Sequence, residues 1–130
     1  MEIIYKKNSK KSNFEYCSEI FKNKTPLNGF DKLNYCPVGH DVFECGDIKF
    51  KKEIEGTLYL SYPLSVVVKQ EIKFDSLHSL INEIRKTYKE IYKDRDSMIK
   101  CGIWGHDIYD LQIEGIVIYT DYSIKVSIGS

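Results

Sequence analysis

The feature that most constrains this chain is a helical stripe of large apolar side chains over about residues 76–93. Asp75 or Ser76 comes just before it, and either side chain can accept a hydrogen bond from an unpaired backbone N–H at a helix start. At about 1.5 Å per residue such a helix is roughly 27 Å long, enough to cross a small sheet. The stripe has the spacing of one helix face: Leu77, Leu80, Ile81, Ile84, Tyr88, Ile91 and Tyr92.

Alternation of apolar and polar residues predicts strands on both sides of this helix. Strands with one face on a core and one in water show this period of two. Glu55-Gly56 predicts a turn, Pro63 predicts an edge, a bulge or a bend, and Gly115 a β-bulge where the apolar parity changes. Thr120-Asp121 predicts the turn of a last hairpin. The alternating segments are 48–54, 57–62, 64–74, 111–119 and 123–128.

The N-terminal part predicts a short helix followed by a long loop. Ser12 and Glu15 have the spacing of a capping box, which favours a helix over about 13–23 rather than a strand. Residues 25–46 contain turn-forming residues and predict an irregular loop. We therefore expect one α+β domain over 1–130. In it, an antiparallel sheet of about four to five strands carries the long helix (about 76–93) on one face.

Charge and composition narrow the classes of function. The chain has 19 basic and 19 acidic residues, so its formal net charge is zero, which argues against nucleic acid or an anionic membrane as a partner. No apolar run approaches a membrane span, and no apolar stretch follows the first lysines, so we expect a cytoplasmic protein. The chain contains no alanine and only two arginines, a bias typical of an AT-rich bacterial or phage genome.

Cysteine and histidine in the predicted loop raise the possibility of a zinc site. In a cytoplasmic protein the four cysteines are expected as thiols or metal ligands rather than disulfides. Thiolate and imidazole are the ligands that zinc prefers, and Cys36, His40 and Cys45 supply three of them, with Cys17 as the fourth candidate. The spacing matches no common zinc finger, so the expectation is that the protein has no cofactor, with zinc as the alternative.

Residues 101–110 contain the densest group of polar and aromatic side chains. Trp104, His106, Asp107 and Tyr109 are the candidate ligand contacts, because aromatic rings can stack on a ligand and glycines on either side of Trp104 leave the backbone free to turn. His106 is also a candidate general base, since histidine is the side chain best suited to proton transfer near neutral pH, with Asp107 or Asp110 orienting the ring. The alternative is that this segment only buttresses the core.

The sequence therefore favours a small non-catalytic binding protein that acts by direct contact and forms a homo-oligomer. Its strands are suited to pairing at an edge, and small proteins of this kind from phages or AT-rich bacteria are often inhibitors, immunity proteins or proteins that sequester a ligand. The partner would be a protein or a small ligand. The alternatives are a small hydrolase or other acid–base enzyme centred on His106, and a zinc-stabilised interaction module.

Overall fold

The computed structural model describes residues 1–103 and 105–130 of the chain. In this part six strands form one sheet, in the order β1-β4-β3-β6-β5-β2, and three α-helices and one 3₁₀ helix accompany it. No helix of the described residues is both long and apolar enough to cross a lipid bilayer. The elements in chain order are β1 (Glu2–Lys6), α1 (Asn13–Ile20), β2 (Pro26–Phe30), β3 (Lys49–Leu60), β4 (Val66–Ser76), α2 (Leu77–Ile91), α3 (Arg95–Lys100), the 3₁₀ helix (Ile108–Asp110), β5 (Gln112–Tyr119) and β6 (Ser123–Gly129).

The predicted long helix is confirmed as α2. The Ser76 side chain accepts from the Ser79 amide, and the Ser79 side chain accepts from the Ser76 amide, so a capping box starts the helix one residue after β4 ends. Six apolar side chains of its inner face are at most 2% exposed: Leu77, Leu80, Ile81, Ile84, Tyr88 and Ile91. At about 1.5–3 kcal/mol for each buried side chain, this face is a major source of stability.

The other face of the sheet carries α1 and a smaller core. Val66 and Val68 belong to the core under α2, whereas Val67 packs with Cys17 and Phe21 of the α1 region, as alternation along a strand requires. Ser12 caps α1 by accepting from the Glu15 amide. The buried Asn13 side chain donates to the Ser61 and Leu64 carbonyls, at 2.8 Å each, and so fastens α1 to the turn between β3 and β4.

The α+β class is confirmed, but the sheet differs from the prediction in two ways. It has six strands rather than four or five, because Pro26–Phe30 of the predicted loop pair with β5 as an edge strand. It is mixed rather than antiparallel, because β6 lies parallel to β3 in the centre of the sheet. This parallel contact joins residues more than 60 positions apart in the chain, and nothing in the local sequence encodes it.

The turn predicted at Glu55-Gly56 is wrong. Gly56 lies inside β3, and the chain turns instead around Pro63, between β3 and β4. A Cβ atom at Gly56 would approach the Tyr122 carbonyl oxygen to 2.8 Å, so a glycine is needed for close passage of backbone rather than for a turn. The last hairpin is confirmed, and its register shifts between Ile113 and Gly115, where the bulge was predicted.

Candidate binding site

The segment predicted to contact a ligand is divided between two shallow depressions. His106 lines one of about 300 Å³, together with Phe14 and Tyr62. Tyr109 lines another of about 420 Å³, together with His40 and Tyr92. Trp104 lies outside the described residues. The structure therefore does not bring His106 and Tyr109 to one pocket.

His106 is held by aromatic neighbours. Its ring packs edge-on against Tyr62, with 5.5 Å between the ring centroids, and its backbone carbonyl accepts from the Tyr92 hydroxyl at 3.2 Å. Burial, followed by the nearby Asp107 carboxylate, raises the pKa of Tyr92 to about 12, so this hydroxyl keeps its proton and donates across the physiological range. These contacts fix the position of the segment at the end of α2.

The carboxylates assigned to an acid–base role are placed differently from that hypothesis. Asp107 caps the 3₁₀ helix, and its Oδ1 accepts from the Tyr109 amide at 3.0 Å. Asp110 is an exposed residue at the end of the same helix. Among the described residues no carboxylate forms a hydrogen bond or an ion pair with the His106 ring.

The four candidate zinc ligands do not come together. Cys17 lies in the small core under α1, whereas Cys36 lies in the large core under α2, on the opposite face of the sheet. His40 is exposed, and its ring lies 5.3 Å from that of Tyr109. Cys36 and Cys45 lie at the two ends of one loop, beside a hydrogen bond from the Glu44 amide to the Tyr35 carbonyl. No group of three or more His, Cys, Asp or Glu residues in the described chain is arranged to hold a metal ion.

A groove of about 920 Å³ is a further concave surface, which the sequence analysis did not predict. Its walls are the second half of β4 and the polar side of α2, and it begins beside Met1. We call it the β4–α2 groove. Its lining is Met1, Glu55, Gln70, Glu71, Ile72, Lys73, Glu83, Lys86, Thr87 and Glu90.

The floor of the groove is a strand edge that no other strand of the described residues covers, and we call it the free edge. Strand β1 pairs with Val66–Lys69, and its first residue, Glu2, is the partner of Lys69. The Thr57 amide donates to the Tyr122 carbonyl, on the β6 side of β3, so the pair of Thr57 with Glu71 is not hydrogen-bonded. The amides of Glu71 and Lys73 therefore point away from β3, towards the uncovered side of β4.

Two side chains close the ends of this free edge. The Gln70 side-chain amide donates to the Glu71 carbonyl at 2.9 Å. The Ser79 hydroxyl accepts from the Asp75 amide at 3.0 Å. What remains open is the pair of amides at Glu71 and Lys73 and the Lys73 carbonyl, which is a short and well-defined stretch of backbone.

Local patterns in the sequence give no signal for the groove, because it depends on which strands become neighbours in the sheet. Comparison with models of protein families, with curated proteins and with solved structures finds no match.

Proposed function

We propose that this protein is a small non-catalytic binding protein that acts by direct contact, and that it takes up an extended segment of a partner protein in the β4–α2 groove. The observation that carries the proposal is the free edge at Glu71 and Lys73, which faces this groove. An extended segment added there would pair with the uncovered part of β4, next to the first residue of β1, as peptides do when they add a strand to a sheet.

The walls of the groove favour a partner segment with basic side chains. Four carboxylates, of Glu55, Glu71, Glu83 and Glu90, line it against the two ammonium groups of Lys73 and Lys86. An acidic lining of this kind repels a phosphate backbone, so the partner we propose is a protein rather than a nucleic acid. We propose neither a nucleic acid nor a membrane as its partner.

The free edge is short, so the affinity it supplies is limited. Two amides and one carbonyl offer about three backbone hydrogen bonds, each worth about 0.5–1.5 kcal/mol net. Contacts with α2 must add the rest, and they would select the side chains of the partner. Binding of this kind suits a protein that acts by forming a complex with another protein, as inhibitors, immunity proteins and sequestering proteins do.

The setting we propose for this activity is the cytoplasm of an AT-rich bacterium or its phage. All four cysteines are free, which fits a reducing compartment. The small ligand expected at Trp104, His106, Asp107 and Tyr109 and the homo-oligomer expected from the sequence stay predictions. In the homo-oligomer, the segment in the groove would come from a second copy of this chain.

A displayed library of random ten-residue peptides, selected on the full-length protein, tests the proposal. We expect enriched peptides that combine basic residues with residues of high β-propensity. The matched variants are Lys73→Pro, which removes the outward amide, and Lys73→Ala, which removes the side chain and keeps the amide. The affinity for a selected peptide should fall at least about tenfold in Lys73→Pro, because the amide donor is lost and the proline ring occupies the space of the hydrogen bond. It should change little in Lys73→Ala.

Three outcomes would overturn the proposal. They are a selection that enriches no peptide, peptides that bind Lys73→Pro as tightly as the unchanged protein, and protection of amides remote from Glu71 and Lys73 on binding. Light scattering identifies the partner: a dimer that becomes a monomer only in Lys73→Pro makes the occupant a second copy. Circular dichroism of Lys73→Pro checks that the sheet has formed.

A further inference from the structure

The segment from Cys36 to Cys45 is a loop whose two ends are fastened to each other and to the fold. The Glu44 amide donates to the Tyr35 carbonyl at 2.9 Å, so the residues next to both cysteines are bonded across the base of the loop. The Cys36 carbonyl accepts from the Ile113 amide of β5 at 2.8 Å. Backbone hydrogen bonds therefore bring Cys36 and Cys45 to the base of the same loop.

The second half of this loop is anchored on α2. The Cys45 carbonyl lies 2.7 Å from Nε2 of His78, and the Asp47 carboxylate accepts from the His78 amide at 3.0 Å. The Phe43 ring packs edge-on against the His78 ring and lies 5.3 Å from the Arg85 guanidinium. The two cysteines thus lie where the β5 side and the α2 side of the core meet.

Cys36 and Cys45 differ from the other two cysteines because the chain closes on itself beside both of them. Cys36 is buried in the large core, and Cys45 is partly exposed and packs against that same core. Cys17 and Cys101 are both buried, one in the small core and one in the large core. One partly exposed thiol near one buried thiol is the arrangement of a pair that an oxidant can enter from one side.

We propose that Cys36 and Cys45 are a modification site that forms a reversible disulfide, with Cys45 as the entry thiol and Cys36 as the resolving thiol. The oxidant is a low-molecular-weight disulfide. The Cys45 thiolate attacks one sulfur of that disulfide and expels the other half as a thiolate. Cys36 then loses its proton, attacks Cys45 and expels the second half. Two protein thiols become one disulfide, and the oxidant is reduced to two small thiols.

The electrostatics of the site support this order of attack. Burial raises the pKa of both thiols, and it raises that of the more deeply buried Cys36 to about 12. Nη2 of Arg85 is buried and has no hydrogen-bond partner among the described residues, and its charge favours the thiolate of Cys36. Cys45 is thus the thiol that ionises first, and Arg85 assists the second step.

Incubation of the full, reduced chain in glutathione buffers of increasing oxidised fraction tests the site. After an acid quench and alkylation, mass spectrometry counts the free thiols, and proteolytic mapping locates the cross-link. We expect the four thiols of the unchanged chain to fall to two, with a cross-link between Cys36 and Cys45 that dithiothreitol reverses. The control Cys101→Ser should fall from three thiols to one.

The single-cysteine variants test the order of attack. Cys36→Ser should accumulate glutathione on Cys45, whereas Cys45→Ser should keep its three thiols. Two results would overturn the proposal. The first is that the chain keeps four alkylatable thiols in a buffer that fully oxidises a short peptide with two cysteines. The second is a cross-link that includes Cys17 or Cys101. A Cys36→Ser chain without an adduct would overturn the assigned roles. The unchanged chain decides the pairing even if a serine variant fails to fold.

Discussion

Lys69 and Lys73 occupy equivalent positions in β4 but face different surroundings. Both belong to the set of residues whose backbone N–H and C=O groups point away from β3. Lys69 pairs with Glu2, the first residue of β1, whereas Lys73 has no strand of the described residues beside it and faces the β4–α2 groove. The difference shows that a strand edge is free only where the neighbouring strand does not extend along it.

The two halves of β4 also differ in what holds their ends. At the beginning of the strand, Asn13 of α1 fastens the turn that leads into Val66. At its end, Ser79 joins the strand to α2. The first half of β4, which pairs with β1, is the closed half and is part of the framework of the fold. The second half, with the free edge, is the open half, and it is held in position by its neighbours β3 and α2.

The largest expected effect comes from placing proline in each half. Lys69→Pro should lower the free energy of unfolding by about 2–3 kcal/mol, because it removes a ladder hydrogen bond and leaves the Glu2 carbonyl without its donor. Lys73→Pro should cost less than about 1 kcal/mol, because its amide has no strand beside it. Urea denaturation measures both. Equal losses would mean that the two halves of the edge are alike.

Removing the clamp at the beginning of β4 should have the next largest effect. Asn13→Ala leaves the Ser61 and Leu64 carbonyls without a donor, and we expect a loss of about 1–3 kcal/mol in unfolding free energy. The exposed Asn34→Ala is the matched control and should stay within about 0.5 kcal/mol. A loss at Asn13 no larger than that of the control would show that α1 does not stabilise the closed half.

The clamp at the other end of β4 should be weaker. Ser79→Ala removes the acceptor of the Asp75 and Ser76 amides and half of the capping box of α2, which should cost about 1 kcal/mol. Differential scanning calorimetry should place its melting temperature between those of Asn13→Ala and the unchanged protein. Ser127→Ala, at an exposed position of β6, is the control. A larger loss of unfolding free energy in Ser79→Ala than in Asn13→Ala would mean that the end of β4, and not its beginning, belongs to the framework of the fold.

The smallest effect on stability should accompany an effect on binding. The Gln70 side-chain amide donates to the Glu71 carbonyl, so Gln70→Ala frees that carbonyl. This substitution should change the free energy of unfolding by less than about 0.5 kcal/mol. A peptide selected for the groove should then bind about two- to fivefold more tightly, because it no longer competes with that side chain. Titration calorimetry measures this change. An unchanged affinity would mean that the peptide does not reach the Glu71 carbonyl.

Local patterns predicted the elements of this fold well. The apolar stripe of α2, the capping residue Ser12 and the last hairpin with its bulge at Gly115 depend on residues near each other in the chain, and the structure confirms them. Gly56 was misread because a glycine allows either a turn or a close backbone approach, and only the position of Tyr122 distinguishes the two.

The arrangement of the elements and the candidate site could not be predicted in the same way. The parallel contact of β3 with β6 and the pairing of β2 with β5 are long-range choices. His106 and Tyr109 are close in sequence, yet they line different depressions, because the 3₁₀ helix between them changes the direction of the chain. The groove arises from the unequal lengths of β1 and β4, which requires knowing that they are neighbours.

Hydrogen exchange of individual backbone amides in the free protein tests the central claim most directly. The account predicts slow exchange at Lys69, which donates to β1, and at Ile72, which donates to β3, with fast exchange at Glu71 and Lys73 between and beyond them. A selected peptide should then slow the exchange of Glu71 and Lys73 and leave Lys69 as it was. Amides of Glu71 and Lys73 as protected as that of Lys69 in the free protein would contradict the open edge.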